Sequence, residues 1–159
     1  MTLALAALVA AGASGCDQTP LDVASALEIS DVTSGWFDAG FDELGRNKLV
    51  PTISFRLENA GSETVRALQI NGVFRRVGEE AEWGSAYVRV VGAEGLEPGV
   101  TTDPLVLRSD LGYTGEQPRM EMLTNSQFVD VKVDLFVKHR SDQWVKLNEY
   151  VIARQLLTE

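Results

Sequence analysis

The side chains able to do chemistry are few and scattered. A chain of 159 residues holds one cysteine, Cys16, and one histidine, His139. Ser141 and Asp142 follow that histidine closely, and serine, histidine and aspartate are the residue types of a nucleophile, base and orienter. Packed into one hairpin turn, however, they cannot easily reach the geometry such a relay needs, and they read as polar turn residues. Asp38, Asp42 and Glu43 crowd a loop expected from Asp38 to Lys48, a grouping that suggests calcium. Their spacing lacks the alternating ladder and closing Glu of a calcium loop, so a solvated loop is expected. Glu79, Glu80 and Glu82 form a charge run suited to hydration. Gly112-Tyr113-Thr114-Gly115 has neither the lysine nor the strand-to-helix setting of a phosphate loop. A single cysteine leaves no partner for a disulfide and no thiolate set for zinc. No catalytic residue, metal or cofactor is expected.

Cys16 has a specific setting. Leu3 to Ala13 is uncharged and apolar, about as long as the hydrophobic centre of a secretory signal and too short to span a bilayer. Ala13-Ser14-Gly15 then supplies small residues directly before the cysteine. This combination resembles the signal of bacterial lipoproteins, in which the cysteine is diacylated and becomes the first residue of the mature protein. The alternative reading is a plain secretory leader followed by an unrelated small cysteine. The resemblance implies a leader over 1–15, lipidation at Cys16, and a location on the periplasmic side of the bacterial cell envelope. Asp17 resembles the inner-membrane retention signal of some bacteria, a rule that is not general, so inner and outer membrane both stay open. Past the leader, no uncharged stretch approaches the roughly 20 residues of a spanning helix, so attachment is expected through the lipid alone.

The formal charge is −9 at neutral pH. Such an acidic surface repels phosphates, which excludes nucleic acid as a natural partner. Asp17 to Ser25 is polar and broken by Pro20, and with Cys16 it reads as a tether over 16–25 leading into a domain over 26–159.

Within that domain the dominant signal is alternation. Leu27 to Val32 opens in strand-like fashion. Ile53, Phe55 and Leu57 share one parity in the next strand, and Leu68, Ile70 and Phe74 in the third, with Gly72 on the same inward row. Ala86, Val88 and Val90 form a fourth row, and Leu105 and Leu107 a short fifth. Ser109 to Pro118 reads as a loop, and Pro118 to Leu123 as a short helical link ending near Asn125. Val129, Val131, Val133, Leu135 and Val137 give the strongest pattern. Val145, Leu147, Val151 and Ala153 return beside them in a register that sets 137 against 145 and 131 against 151. Only Glu149, opposite Val133, violates that register. About seven strands with Gly and Pro turns and almost no helix predict an all-β antiparallel sandwich. Asn59 to Val65, following the Ile53-Phe55-Leu57 strand, resembles the B-to-C turn of immunoglobulin-like envelope domains, although no Cys-Trp-Cys signature accompanies it.

The same register predicts pairs of cation and aromatic ring on the outer face: Lys138 with Trp144, Phe136 with Lys146, Lys132 with Tyr150, and Phe128 with Arg154. Phe128, Phe136, Trp144 and Tyr150 are therefore the candidates for contacting a partner, with Tyr113 as the loop candidate. The alternative is a solvated face, and tryptophan is more often core or edge cover. Together these readings favour a lipid-anchored, noncatalytic interaction or accessory module of an envelope transport or assembly complex, with an envelope protein as partner. The alternative is a sandwich that binds a small molecule or lipid between sheet and loop through Trp36, Phe37, Tyr113 or Met120. A hydrolase of envelope polymers is the least favoured.

Overall fold

The computed structural model describes residues 21–157. The expected leader and Cys16 lie outside the described residues. The expected all-β sandwich is present as two sheets. Among the described residues nine strands form them: β1 (Leu27–Phe41), β2 (Asn47–Asn59), β3 (Leu68–Arg76), β4 (Gly84–Val91), β5 (Leu105–Arg108), β6 (Tyr113–Gly115), β7 (Val131–His139), β8 (Val145–Val151) and β9 (Leu156–Leu157). One sheet runs β5-β2-β1-β9 with β6 also on β2, and the other runs β4-β3-β7-β8. Two short helices, α1 (Val23–Ala26) and α2 (Arg119–Thr124), lie outside the sheets. No helix among the described residues is long and apolar enough to cross a membrane.

The inward rows of β2, β3 and β7 are those that the alternation predicts, but Val129, Val145, Val151 and Ala153, expected inward, are exposed, and Ile152 is buried beside them. Ile53, Phe55 and Leu57 of one sheet meet Leu68, Ile70, Phe74, Val131, Val133, Leu135 and Val137 of the other, all fully buried. Gly72 lies within this layer. A Cβ there would sit 2.9 Å from Leu107 Cδ1 of the facing sheet, so the missing side chain is the space that Leu107 fills.

Several expectations change. The folded part begins before residue 26, within the span read as a tether. Asp22 caps α1, accepting from Ser25 N at 3.3 Å and from Ser25 Oγ at 2.6 Å, and Val23 is buried in the core. The polar run around Pro20 hides this apolar anchor from a compositional reading. The loop expected from Asp38 to Lys48 is only a tight turn, because β1 continues to Phe41 through irregularities at Ser30/Thr33 and Asp38/Phe41. Asp42 builds the turn, its carboxylate accepting from Leu44 N and Arg46 N at 2.9 Å each and from Arg46 Nε at 2.8 Å. These bonds, first those from Arg46, hold its pKa below the usual value. Asp38 is likewise taken, by Arg119 at 2.6 Å.

The expected loop Ser109 to Pro118 contains β6, which pairs Tyr113 with Leu49. The chain end adds a parallel pair, Trp36 with Leu156 and Phe37 with Leu157, so the sandwich is not purely antiparallel. Gly35 permits this, since a Cβ on it would stand 2.8 Å from Gln155 O and from Leu157.

The β7–β8 register holds at one end and slips at the other. Val137 faces Val145 and Phe136 faces Lys146 as expected, but Leu135 faces Asn148 and Asp134 faces Glu149. Leu147 is the extra residue of a bulge. The reason is Glu149: in continuous register it would point inward at Val133, and one inserted residue turns it outward to cations. Tyr150 consequently faces Val133 in place of Lys132 and packs partly against the core.

Candidate interaction surface

The structure separates the expected contact residues into two groups. Tyr113 and Phe128 are not on an open face. They join Trp36, fully buried on β1, in a ring cluster that closes one end of the core. Trp36 stacks on Tyr113 at 5.4 Å and meets Phe128 edge-on at 4.8 Å; Trp83 covers Tyr113 at 4.8 Å. The Tyr113 hydroxyl donates to Val129 O at 3.0 Å, and burial pushes its pKa up. Arg154 lies over the Phe128 ring at 5.0 Å, as the expected pair has it, and is held there by Asp130 at 2.6 Å. Alternation could not reveal this cluster, because its members come from β1, β6 and two irregular segments that meet only in the folded chain.

Beside it a surface cleft of about 160 Å³ is lined by Tyr113, Thr114, Gln117, Met122, Asn125 and Phe128, among others. That is below the roughly 300–1,000 Å³ of sites that enclose a drug-sized ligand. Of the residues expected to line a ligand cavity, Tyr113 borders this cleft and the other three do not. Trp36 is sealed in the core, Phe37 lies under Arg108 at 3.6 Å, and Met120 is exposed on α2.

Phe136 and Trp144 belong to the second group, on the outer face of the sheet β4-β3-β7-β8. Cross-strand pairing defines rows on this face: Arg89, Gln69 and Lys138 in one, Tyr87, Asn71, Phe136 and Lys146 in the next, then Ser85, Val73, Asp134 and Glu149. Tyr87 lies on edge strand β4 and Trp144 directly precedes the opposite edge strand β8, with β3 and β7 between them. Their rings nonetheless meet edge-on, 6.5 Å between centroids, leaning over the middle of the sheet. Tyr87 stays 56% exposed and Trp144 40% exposed. Lys138 stands 5.9 Å from the Trp144 ring, the second of the expected cation–ring pairs to form. The pair expected between Lys132 and Tyr150 is lost to the bulge. Tyr150 instead takes a hydrogen bond from Asn148 Nδ2 at 3.0 Å. Tyr87 is a surface residue that the sequence reading missed; its outward parity on β4 was available as a signal, but not its reach across two strands.

The centre of this face is roofed by its own side chains. Val73 and Asp134 point outward from adjacent strands and face each other, yet they are 7% and 6% exposed. Arg75 bonds one Asp134 oxygen, and Lys146 Nζ lies 2.6 Å from the other. Lys146 also reaches Glu149 at 3.1 Å, and Lys132 reaches the same carboxylate at 3.3 Å. Lys146 above all, then Asp134 and Lys132, bring the Glu149 pKa down to about 2, and these bonds raise that of Lys146.

Among the described residues no cluster of acids, histidine and cysteine could hold a metal ion. His139 is buried with its Nδ1 3.3 Å from Asp142 Oδ2. No hydrogen bond links it to Ser141 among the described residues.

No family model matches the chain, and no curated protein matches its sequence. Solved structures with a loose likeness include the following two. One is a Bordetella pertussis protein assigned provisionally to ApaA, 18% identical, with 80% of this chain and 92% of that one covered and a TM-score of 0.40. The other is the ligand-binding region of serine-glutamate repeat protein A (SgrA) of Enterococcus faecium, 15% identical, with 74% and 88% covered and a TM-score of 0.30. Both likenesses are too loose to bear on function.

Proposed function

We propose that this chain is a membrane-anchored envelope lipoprotein whose sandwich serves as a noncatalytic interaction module, an accessory to a transport or assembly complex on the periplasmic side. Cys16 is the lipidated residue in this reading, and the outer face of β4-β3-β7-β8 is the contact surface. The observation that carries it is the Tyr87–Trp144 bridge. Two large rings are held together over an open sheet face, half in water, with Phe136 beneath the same row and cations around them. Exposed Tyr and Trp, here with Arg89 on the neighbouring row, are among the residues enriched in contact surfaces. The ligand-binding alternative has the small cleft beside Tyr113 and Phe128 in its favour, and that volume is below the range of sites that enclose a drug-sized ligand.

Two measurements test the proposal. Mass spectrometry of the chain expressed in a bacterial host is expected to give a product beginning at an acylated Cys16; an intact leader or a bare thiol removes the anchor. Crosslinking from position 87 or 144 in the acylated protein is expected to capture one reproducible envelope protein. Crosslinks distributed at random would remove the module.

A further inference from the structure

We infer that the outer face of β4-β3-β7-β8 docks an acidic, extended protein segment, whose carboxylates meet Arg89 and Lys138 and whose apolar side chain rests on Tyr87 and Trp144. This deepens the interaction-module reading and rests on it.

The first argument is charge. The chain as a whole carries −9. On this face the balance reverses: Arg75, Arg89, Lys132, Lys138 and Lys146 stand against Asp134 and Glu149 alone in the paired rows. A basic patch on an acidic body attracts an acidic partner locally while the rest of the surface repels it, which also orients the encounter.

The second argument is how the charges are used. Arg75, Lys132 and Lys146 are consumed by Asp134 and Glu149. Arg89 and Lys138, by contrast, form no ion pair among the described residues. They are not a random pair. Each flanks Gln69 across the sheet, one strand to either side, so their backbones are about 10 Å apart at the usual strand spacing. Carboxylates at alternate positions of an extended segment lie about 7 Å apart on one face, and long Arg and Lys side chains close the difference. The neutral amides of Gln69 and Asn71 lie between, free to bond the segment's backbone.

The third argument is the ring bridge. Its exposed halves border the Arg89–Lys138 row, since Trp144 adjoins Lys138 and Tyr87 lies on the same outward row of β4 as Arg89. An apolar side chain next to the carboxylates would therefore land on rings already fixed in place, at little cost in ordering.

The test uses the full chain, isotope-labelled, titrated with the peptide Glu-Ser-Glu-Ser-Leu-Ser-Glu, with the same peptide carrying Gln for every Glu, and with phosphatidylglycerol vesicles. Amide shifts on adding the acidic peptide are expected at Gln69, Asn71, Tyr87, Arg89, Phe136, Lys138 and Trp144. The Gln peptide should bind at least tenfold more weakly, and so should the acidic peptide to the double variant Arg89→Glu/Lys138→Glu. Both residues are on the surface, and an unchanged unfolding curve verifies that the variant folds. Lys48→Glu/Arg108→Glu, on the other sheet, should bind as the native chain does. Shifts dispersed over other basic residues, or equal binding by both peptides, would overturn the inference, as would vesicles binding through this face when the peptide does not. If the crosslinked partner is still captured by Arg89→Glu/Lys138→Glu, the acidic-segment inference falls while the module stands; if the native chain captures none, the module itself falls.

Discussion

Trp36 and Trp144 each meet a neighbouring ring edge-on, yet they occupy opposite kinds of environment. Trp36 lies at 74° to Phe128 and is fully buried, whereas Trp144 lies at 83° to Tyr87 on an outer sheet face and stays 40% exposed. In the interior, ring geometry follows from close packing, because every atom must have a neighbour. On the surface no such demand exists. Two rings that lean across the width of a sheet meet each other there beside Lys138, and about half of their area is left for something else. The same geometry is thus structural in one place and a contact surface in the other.

That contrast sets the size of the expected effects. Trp36→Ala, which empties the centre of the buried cluster, should cost about 3–5 kcal/mol in denaturant unfolding; a loss under about 1 kcal/mol would mean that the cluster is not closing the core. Tyr113→Phe removes only the hydroxyl bond to Val129 O and should cost about 1 kcal/mol, read from the same curves. Trp144→Ala should fall to about 0.5 kcal/mol, within the range of ordinary surface changes, while acidic-peptide binding is lost. A large stability loss there would make the outer rings a second structural cluster and erase the distinction. The smallest effect is the pH dependence around Glu149. Its folded pKa of about 2 lies below the ordinary 4.5, so its contribution is complete above about pH 4.5, declines as pH falls, and is gone near pH 2. The difference in melting temperature between the native chain and Glu149→Gln should follow that course; a difference independent of pH would mean that the Lys146 and Lys132 bonds contribute nothing.

Much of the fold is legible in the sequence because burial repeats every second residue. Ile53, Phe55 and Leu57, and Val131 through Val137, announce their faces one after another, and the strands they belong to are where alternation puts them. What stays illegible depends on contacts between distant segments. β6 and β9 are too short to carry a period, and exist because Leu49 and Trp36 offer them an edge. Val23 is a lone apolar residue in a polar run. Glu149 is the instructive case: the violation it makes in the ideal register was visible, and the bulge at Leu147 is the chain's response to it. Of the candidate contact residues, Phe136 and Trp144 lie on the open face, whereas Phe128, Tyr113 and Tyr150 are drawn toward the interior, because their partners come from elements whose meeting no local pattern encodes.

The bulge at Leu147 has one more consequence. β8 is the last strand of its sheet, and a flat outermost strand presents unpaired amides and carbonyls to any passing chain. One extra residue kinks that rim and places Lys146 and Glu149 along it, so that a second molecule cannot zip on in register. Correcting one misdirected carboxylate therefore also guards the rim of the sheet, and a shortened chain lacking Leu147 would keep Glu149 opposite Asp134 but straighten that rim and lose the guard.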